Sequence, residues 1–264
     1  TARILSLLGI LLLVTNPYLP SWEYVPDGEP YVFGDRVYVY GSHDFFNGDL
    51  YCMGDYVCWS APVDDLGQWR YEGVIYRKDQ DPHNGDLQGN LYAPDVTIGP
   101  DGRYYLYYVL SHVNFVSVAV CDTPAGAYQF YGYVHYPDGT LLGLAPGDEA
   151  QFDPAVLTEN GKTYLYTGFC GVGDPNKHGA MVTVLEADML TVREAPVYVV
   201  PARPPARERA TRATSSSKRP PSAKKTDCTI SFIRPLSSMS CAMPSAGNPP
   251  GALFIRVCWL AAAI

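Results

Sequence analysis

The chain has 264 residues with a net charge of −8, and 21 tyrosines, 24 glycines and 23 prolines dominate its character. That length allows one large or two small domains, and the mixture favours short strands and tight turns over helices. Residues 1–201 hold 9 basic and 25 acidic side chains while residues 202–264 hold 10 and 2, so the acidic body repels phosphate backbones, which excludes nucleic acid, and tolerates neutral sugars.

In chain order, Thr1-Ala2-Arg3 precedes an apolar run from Ile4 to Val14. Residues 1–15 resemble the hydrophobic part of a signal peptide, yet they carry one basic residue and no small-x-small cleavage site before Asn16-Pro17. The run is too short to span a bilayer comfortably, so no membrane partner is expected. The segment reads equally as a leader or as a fragment, with a cytoplasmic location favoured and secretion left open.

Three aspartates then open the same short pattern: Asp27 in Pro26-Asp27-Gly28-Glu29-Pro30, Asp95 in Ala93-Pro94-Asp95-Val96, and Asp153 in Phe152-Asp153-Pro154-Ala155. Each is followed by an apolar run, a turn glycine (Gly34, Gly102, Gly161) and a tyrosine-rich alternating stretch (Val37–Ser42, Tyr104–Val109, Thr163–Gly168). This unit predicts a β-hairpin with an acid at its start. The spacings are 95 − 27 = 68 and 153 − 95 = 58 residues. One hairpin cannot bury its own face, so such repeats predict a radial array of small antiparallel sheets, an all-β propeller. The innermost strands of a propeller start near its axis, which would gather the three carboxyls at one mouth. Converging carboxylates are costly unless they are used or paired. The best window with a helical period, Val184–Leu190, reads equally as strand and turn.

The seven cysteines (52, 58, 121, 170, 228, 241 and 258) form no CxxC pair and no zinc spacing. They predict reduced thiols, with a Cys52–Cys58 bridge as the alternative in an oxidising compartment. No ligand spacing for a metal stands out, and no cofactor is expected.

The run Asn16-Pro17-Tyr18-Leu19-Pro20-Ser21-Trp22-Glu23-Tyr24-Val25-Pro26-Asp27-Gly28-Glu29-Pro30, with the Ala-Pro-Asp and Phe-Asp-Pro segments after it, resembles glycoside hydrolase family 43 over residues 16–201. The resemblance implies a five-bladed β-propeller, here incomplete at about three to four blades. It also implies β-xylosidase or α-L-arabinofuranosidase activity on arabinose- or xylose-containing oligosaccharides and polysaccharides. By position, Asp27 resembles the family's general base and Asp153 the aspartate that tunes the acid's pKa. Asp95 resembles an acid at the pocket floor that positions or contacts sugar, with a turn-capping aspartate as the alternative. Sugar rings present apolar C–H faces to aromatic rings, so Trp22, Tyr24, Phe45, Phe46, Tyr92 and Phe169 are candidates for the substrate site. His43, which follows the first tyrosine-rich stretch, is a further candidate for substrate contact, with a turn histidine as the alternative, and His112 and His178 stay open.

After Pro201 the tyrosines cease and Ser, Pro, Ala, Arg and Lys take over, which by composition reads as a basic, disordered segment. The resembled family has there a segment close to His-Glu-Phe-Phe-Glu-Ala-Pro-Ser, with the general-acid glutamate. Its codons read one nucleotide late yield Thr-Ser-Ser-Ser-Lys-Arg-Pro-Pro, which stands at Thr214 to Pro221. Residues 202–264 are therefore expected to be an out-of-frame translation in which the general acid is absent. A sugar-binding propeller that does not cleave is the alternative function. A protein-interaction propeller is a third, and it predicts no convergent acids.

Overall fold

The computed structural model describes residues 18–168 and 179–201. The apolar leader, Phe169, His178 and the segment 202–264, with its out-of-frame reading, lie outside the described residues.

Among the described residues, twelve strands form three four-stranded antiparallel sheets, each a simple meander. Blade 1 contains β1 (Glu29–Phe33), β2 (Arg36–Gly41), β3 (Tyr56–Pro62) and β4 (Arg70–Tyr76). Blade 2 contains β5 (Asp95–Ile98), β6 (Tyr104–Tyr108), β7 (Ser117–Cys121) and β8 (Gln129–Tyr133). Blade 3 contains β9 (Ala155–Glu159), β10 (Lys162–Gly168), β11 (Gly179–Leu185) and β12 (Val192–Pro201). The predicted tyrosine-rich stretches are β2, β6 and β10, the second strand of each blade. The ambiguous window from Val184 ends β11 at Leu185 and continues as a turn. The described residues supply three blades of a five-bladed propeller.

Turn chemistry sets the first hairpin of each blade. Asn160 and Gly161 both take positive φ (52° and 74°), as a two-residue primed turn demands, and this joins Glu159 to Lys162 in register. Blade 1 has the same loop length, with Phe33 paired to Arg36. Blade 2 differs: Ile98 pairs with Tyr104, so five residues make the connection.

The middle blade is buried on both faces, and β6 shows how. Leu106 and Tyr108 face blade 1, packing with Tyr40, Tyr56 and Tyr76. Tyr105 and Tyr107 point the other way and pack with Val156 and Leu165 of blade 3. This alternation is the period of two that a strand imposes. Tyrosine suits these interfaces because its ring supplies apolar area while its hydroxyl reaches a polar partner. Tyr40 donates to the Pro124 carbonyl at 2.6 Å, Tyr107 to the Met189 carbonyl at 2.7 Å, and Tyr56 to the Tyr92 carbonyl. Asp81, 1% exposed, accepts from Tyr108 at 2.7 Å and from Tyr133 at 2.9 Å, and caps the 3₁₀ turn Pro82–Asn84 through the His83 N–H. Cys52, Cys58 and Cys121 are free thiols.

Candidate active site

Asp27 and Asp153 occupy the same place in their blades. Each stands two residues before its inner strand, ahead of Glu29 and Ala155, which pair with Tyr40 and Tyr166. Both adopt the left-handed conformation, with φ 55° and 42°. Aspartate tolerates that region better than most residues, and backbone held there is characteristic of functional turns. The turn carrying Asp27 rests on Gly41, the last residue of β2, where a Cβ would lie 2.6 Å from the Pro26 carbonyl oxygen and 2.6 Å from Val25 Cγ1.

The Asp153 carboxyl also senses Asp27. Burial, and then the charge on Asp27, push Asp153 up to about 7. Asp27 keeps solvent access although protein crowds its carboxyl. Burial raises its pKa most, the Ser42 hydroxyl donating at 3.1 Å to Oδ2 pulls it back, and Asp44 raises it again.

Asp95 does not share this place. It is the first residue of β5 and pairs with Tyr107, so its register equivalents are Glu29 and Ala155, and the equivalent of Asp27 and Asp153 is Ala93. The longer connection in blade 2 accounts for the difference: it preserves the spacing from aspartate to turn glycine while shifting the strand by two residues. Asp95 is 2% exposed. Its Oδ1 accepts the Val96 N–H at 2.8 Å and its Oδ2 accepts the Val156 N–H of blade 3 at 2.5 Å, with the Tyr31 hydroxyl as a further donor. Burial outweighs these bonds and lifts its pKa to about 7. It ties three inner strands together.

Glu29 was not singled out in the sequence, and it belongs to the same group. Burial first, then the charges of Asp95 and Asp27, push it up to about 8. Alternation was the available signal, since residues i and i+2 of an extended segment share a face. Among the described residues no group of His, Cys, Asp and Glu side chains has the arrangement of a metal site.

The aromatic candidates lie mainly on blade 1. Trp22 is 67% exposed, tilted against Trp59 at 6.1 Å. Tyr24 stacks on Phe46, and Phe45 is edge-on to His43. His43 is held by Glu23, whose Oε1 lies 2.8 Å from Nε2 while its Oε2 accepts from Trp59 Nε1 at 3.1 Å. Glu23 was not predicted. Tyr92 lies between two rings, stacked on Tyr51 at 5.7 Å and edge-on to Phe152 at 5.7 Å. His112 sits apart, with Nε2 3.3 Å from the His83 carbonyl. The loop between β2 and β3 encloses an open depression of about 370 Å³ whose lining includes Asp44, Phe45, Asn47, Asp49, Leu50 and Tyr51.

Solved structures share this arrangement of blades. A family 43 enzyme from Xanthomonas citri complexed with xylose aligns over 76% of this chain and 62% of its own, with a TM-score of 0.56 and 24% identity. A β-xylosidase/α-arabinofuranosidase from a compost metagenome in complex with xylotriose aligns over 71% and 60%, with a TM-score of 0.51. A protein of Thermoclostridium stercorarium named xylosidase/arabinosidase is 71% identical over 189 residues, which is 72% of this chain and 40% of that protein. A xylosidase/arabinosidase of Bacteroides ovatus is 30% identical over 57% of this chain and 45% of its own length. The chain thus spans less than half of these curated relatives. Residues 16–215 match the family described as Glycosyl hydrolases family 43, a span that runs past residue 201, and the chain belongs to that family.

Proposed function

We propose that this chain derives from an inverting glycosidase acting on xylosyl or arabinosyl linkages, with Asp27 as general base and Asp153 as the residue that tunes the acid. The observation that carries the reading is the matched pair: two carboxyls in equivalent left-handed turns of different blades, one with solvent access and electrostatically coupled to the other. In this scheme Asp27 takes a proton from the water that attacks the anomeric carbon. A protonated carboxyl on the opposite face, roughly 6.5–9.5 Å away, gives its proton to the leaving oxygen. Asp153, when ionised, raises that acid's pKa by like-charge repulsion. The name of the Thermoclostridium stercorarium relative supports the substrate class.

By the family resemblance the general acid belongs to the segment after Pro201, so we assign that role to none of the described residues. Glu208, in Ala206-Arg207-Glu208-Arg209, stands in a context unlike that of the family's glutamate. We therefore expect the chain as written to bind pentosyl sugars and to turn them over weakly. The test has two parts: release of nitrophenol from aryl β-xyloside and aryl α-L-arabinofuranoside, and affinity for xylose and arabinose. Binding that Asp27→Asn weakens, with turnover far below that of a relative retaining the glutamate, supports the reading. Turnover equal to such a relative overturns the impairment, and binding indifferent to Asp27 overturns the site. Sequencing the DNA across the codons for Val200 to Thr214 decides the frame: a family-like peptide in another frame is the expected result.

The alternative, a sugar-binding propeller whose acids and aromatics hold sugars without cleaving them, predicts that Asp27→Asn weakens affinity as well, with no turnover and no family-like glutamate in any reading frame.

A further inference from the structure

The chain contains three Asn-Gly pairs, Asn47-Gly48, Asn84-Gly85 and Asn160-Gly161. In such a pair the glycine nitrogen, with no side chain beside it, can attack the asparagine side-chain carbonyl carbon whenever both groups are free to meet. The fold gives the three pairs very different freedom. At Asn84, which is fully buried, Nδ2 donates to the Lys78 carbonyl at 3.0 Å and to the Gly89 carbonyl at 3.1 Å, while Oδ1 accepts the Gly89 N–H at 2.8 Å. That amide cannot turn toward Gly85 without breaking three bonds.

Asn47 is exposed, but the nitrogen beside it is committed elsewhere. The Gly48 N–H donates to the Phe45 carbonyl at 3.0 Å. A Cβ built on Gly48 would also lie 3.2 Å from the Leu50 and Phe45 carbonyl oxygens, so this turn is closely surrounded. Asn160 differs on each count. It and Gly161 form the exposed tip of the β9–β10 hairpin, and a Cβ on Gly161 would meet nothing within 4 Å. The hairpin closes by pairing Glu159 with Lys162, which leaves the tip itself out of the ladder. Among the described residues neither the Asn160 side chain nor the Gly161 N–H has a hydrogen-bond partner.

We infer that Asn160 is a site of spontaneous deamidation, selected from the three Asn-Gly pairs by the fold. The Gly161 nitrogen forms a bond to Asn160 Cγ, and the side-chain nitrogen leaves as ammonia with the proton that Gly161 gives up. Water then opens the resulting succinimide at either carbonyl and leaves aspartate or isoaspartate at position 160, with no change of oxidation state. This chemistry is independent of the sugar-binding reading. Isoaspartate adds a backbone carbon to a turn whose two-residue length sets the register of β9 against β10, and β9 carries the Val156 N–H that holds Asp95. Counting the hydrogen bonds that must first break, Asn47 should react roughly three- to tenfold more slowly than Asn160, and Asn84 roughly a hundredfold more slowly.

The test is to incubate the full chain in mildly alkaline buffer made with heavy-oxygen water, beside a sample in concentrated urea, and to locate the incorporated oxygen by peptide mass spectrometry. In buffer, label is expected at position 160 well ahead of 47 and last at 84; in urea the three positions should react at similar rates. Equal rates at 160 and 84 in buffer, fastest reaction at 47, or the same order persisting in urea would overturn the inference. Anion exchange separates the product by its added negative charge. The isoaspartate form should unfold at lower urea than Asn160→Asp, which adds the charge but keeps the turn length; equal midpoints would overturn the consequence for register.

Discussion

Asp95 offers the sharpest test of the electrostatics. Its pKa is lifted from the ordinary 3.8 to about 7, burial being the main cause. A carboxyl that holds its proton more tightly when folded stabilises the fold fully below pH 3.8, and this contribution is lost as pH rises through 7. Each displaced pH unit is worth about 1.4 kcal/mol, so the ceiling for this group is about 4 kcal/mol, of which about 2 kcal/mol disappears between pH 5.5 and 7. Asp95→Asn cannot ionise, and its single carbonyl oxygen cannot serve both the Val96 and the Val156 N–H as the carboxyl does. The loss of one buried bond costs about 1–3 kcal/mol at every pH. The variant should therefore be less stable than the parent at pH 5.5, with the gap narrowing by about 2 kcal/mol at pH 8. Urea unfolding at the two pH values measures both quantities. A gap that stays constant, or widens with pH, would refute the claim that burial dominates at Asp95.

Other consequences are as specific. Asp27→Asn removes the charge that raises Asp153, so the Asp153 carboxyl, followed by carbon-detected NMR, should titrate below 7; a fixed value would show that the two are not coupled. Gly41→Ala places a Cβ against the Pro26 carbonyl oxygen, and is expected to displace the Asp27 turn, lower xylose affinity and cost about 1–3 kcal/mol of stability; unchanged affinity and melting temperature would contradict this. Tyr108→Phe deletes a hydroxyl bonded to Asp81 and to Tyr76 at 2.7 Å each, so urea unfolding should show a loss of about 1–3 kcal/mol; stability equal to the parent would deny the network a role.

Much of this was legible in the sequence because it depends on local period and turn chemistry. Tyrosine alternation located β2, β6 and β10, and Gly161 marked a hairpin turn. Asp27 and Asp153 share a setting because identical loop lengths give identical phase, but the sequence pattern grouped Asp95 with them. Asp95 shows the limit. Its spacing to Gly102 equals that of Asp27 to Gly34, but the five-residue connection converts equal spacing into a different register, which only pairing reveals. Glu29 was missed because a charged residue beside a proline in a turn motif reads as surface, whereas burial and the charge of Asp95 in blade 2 are what perturb it. Glu23 was passed over for a similar reason: its partners, His43 and Trp59, lie 20 and 36 residues away.

The offset register also shows how a duplicated unit divides labour. One frame position, two residues ahead of the inner strand, carries Asp27 and Asp153, the two carboxyls proposed for catalysis. The other, at the strand's first residue, supplies a clasp: Asp95 grips blade 3 at Val156, three residues beyond Asp153. A carboxyl moved from one position to the other would exchange adhesive for the proposed catalytic role without altering composition. Ala93 is the position where blade 2 forgoes a mouth acid, and the threefold pattern of the inner hairpins is broken there by a single small side chain.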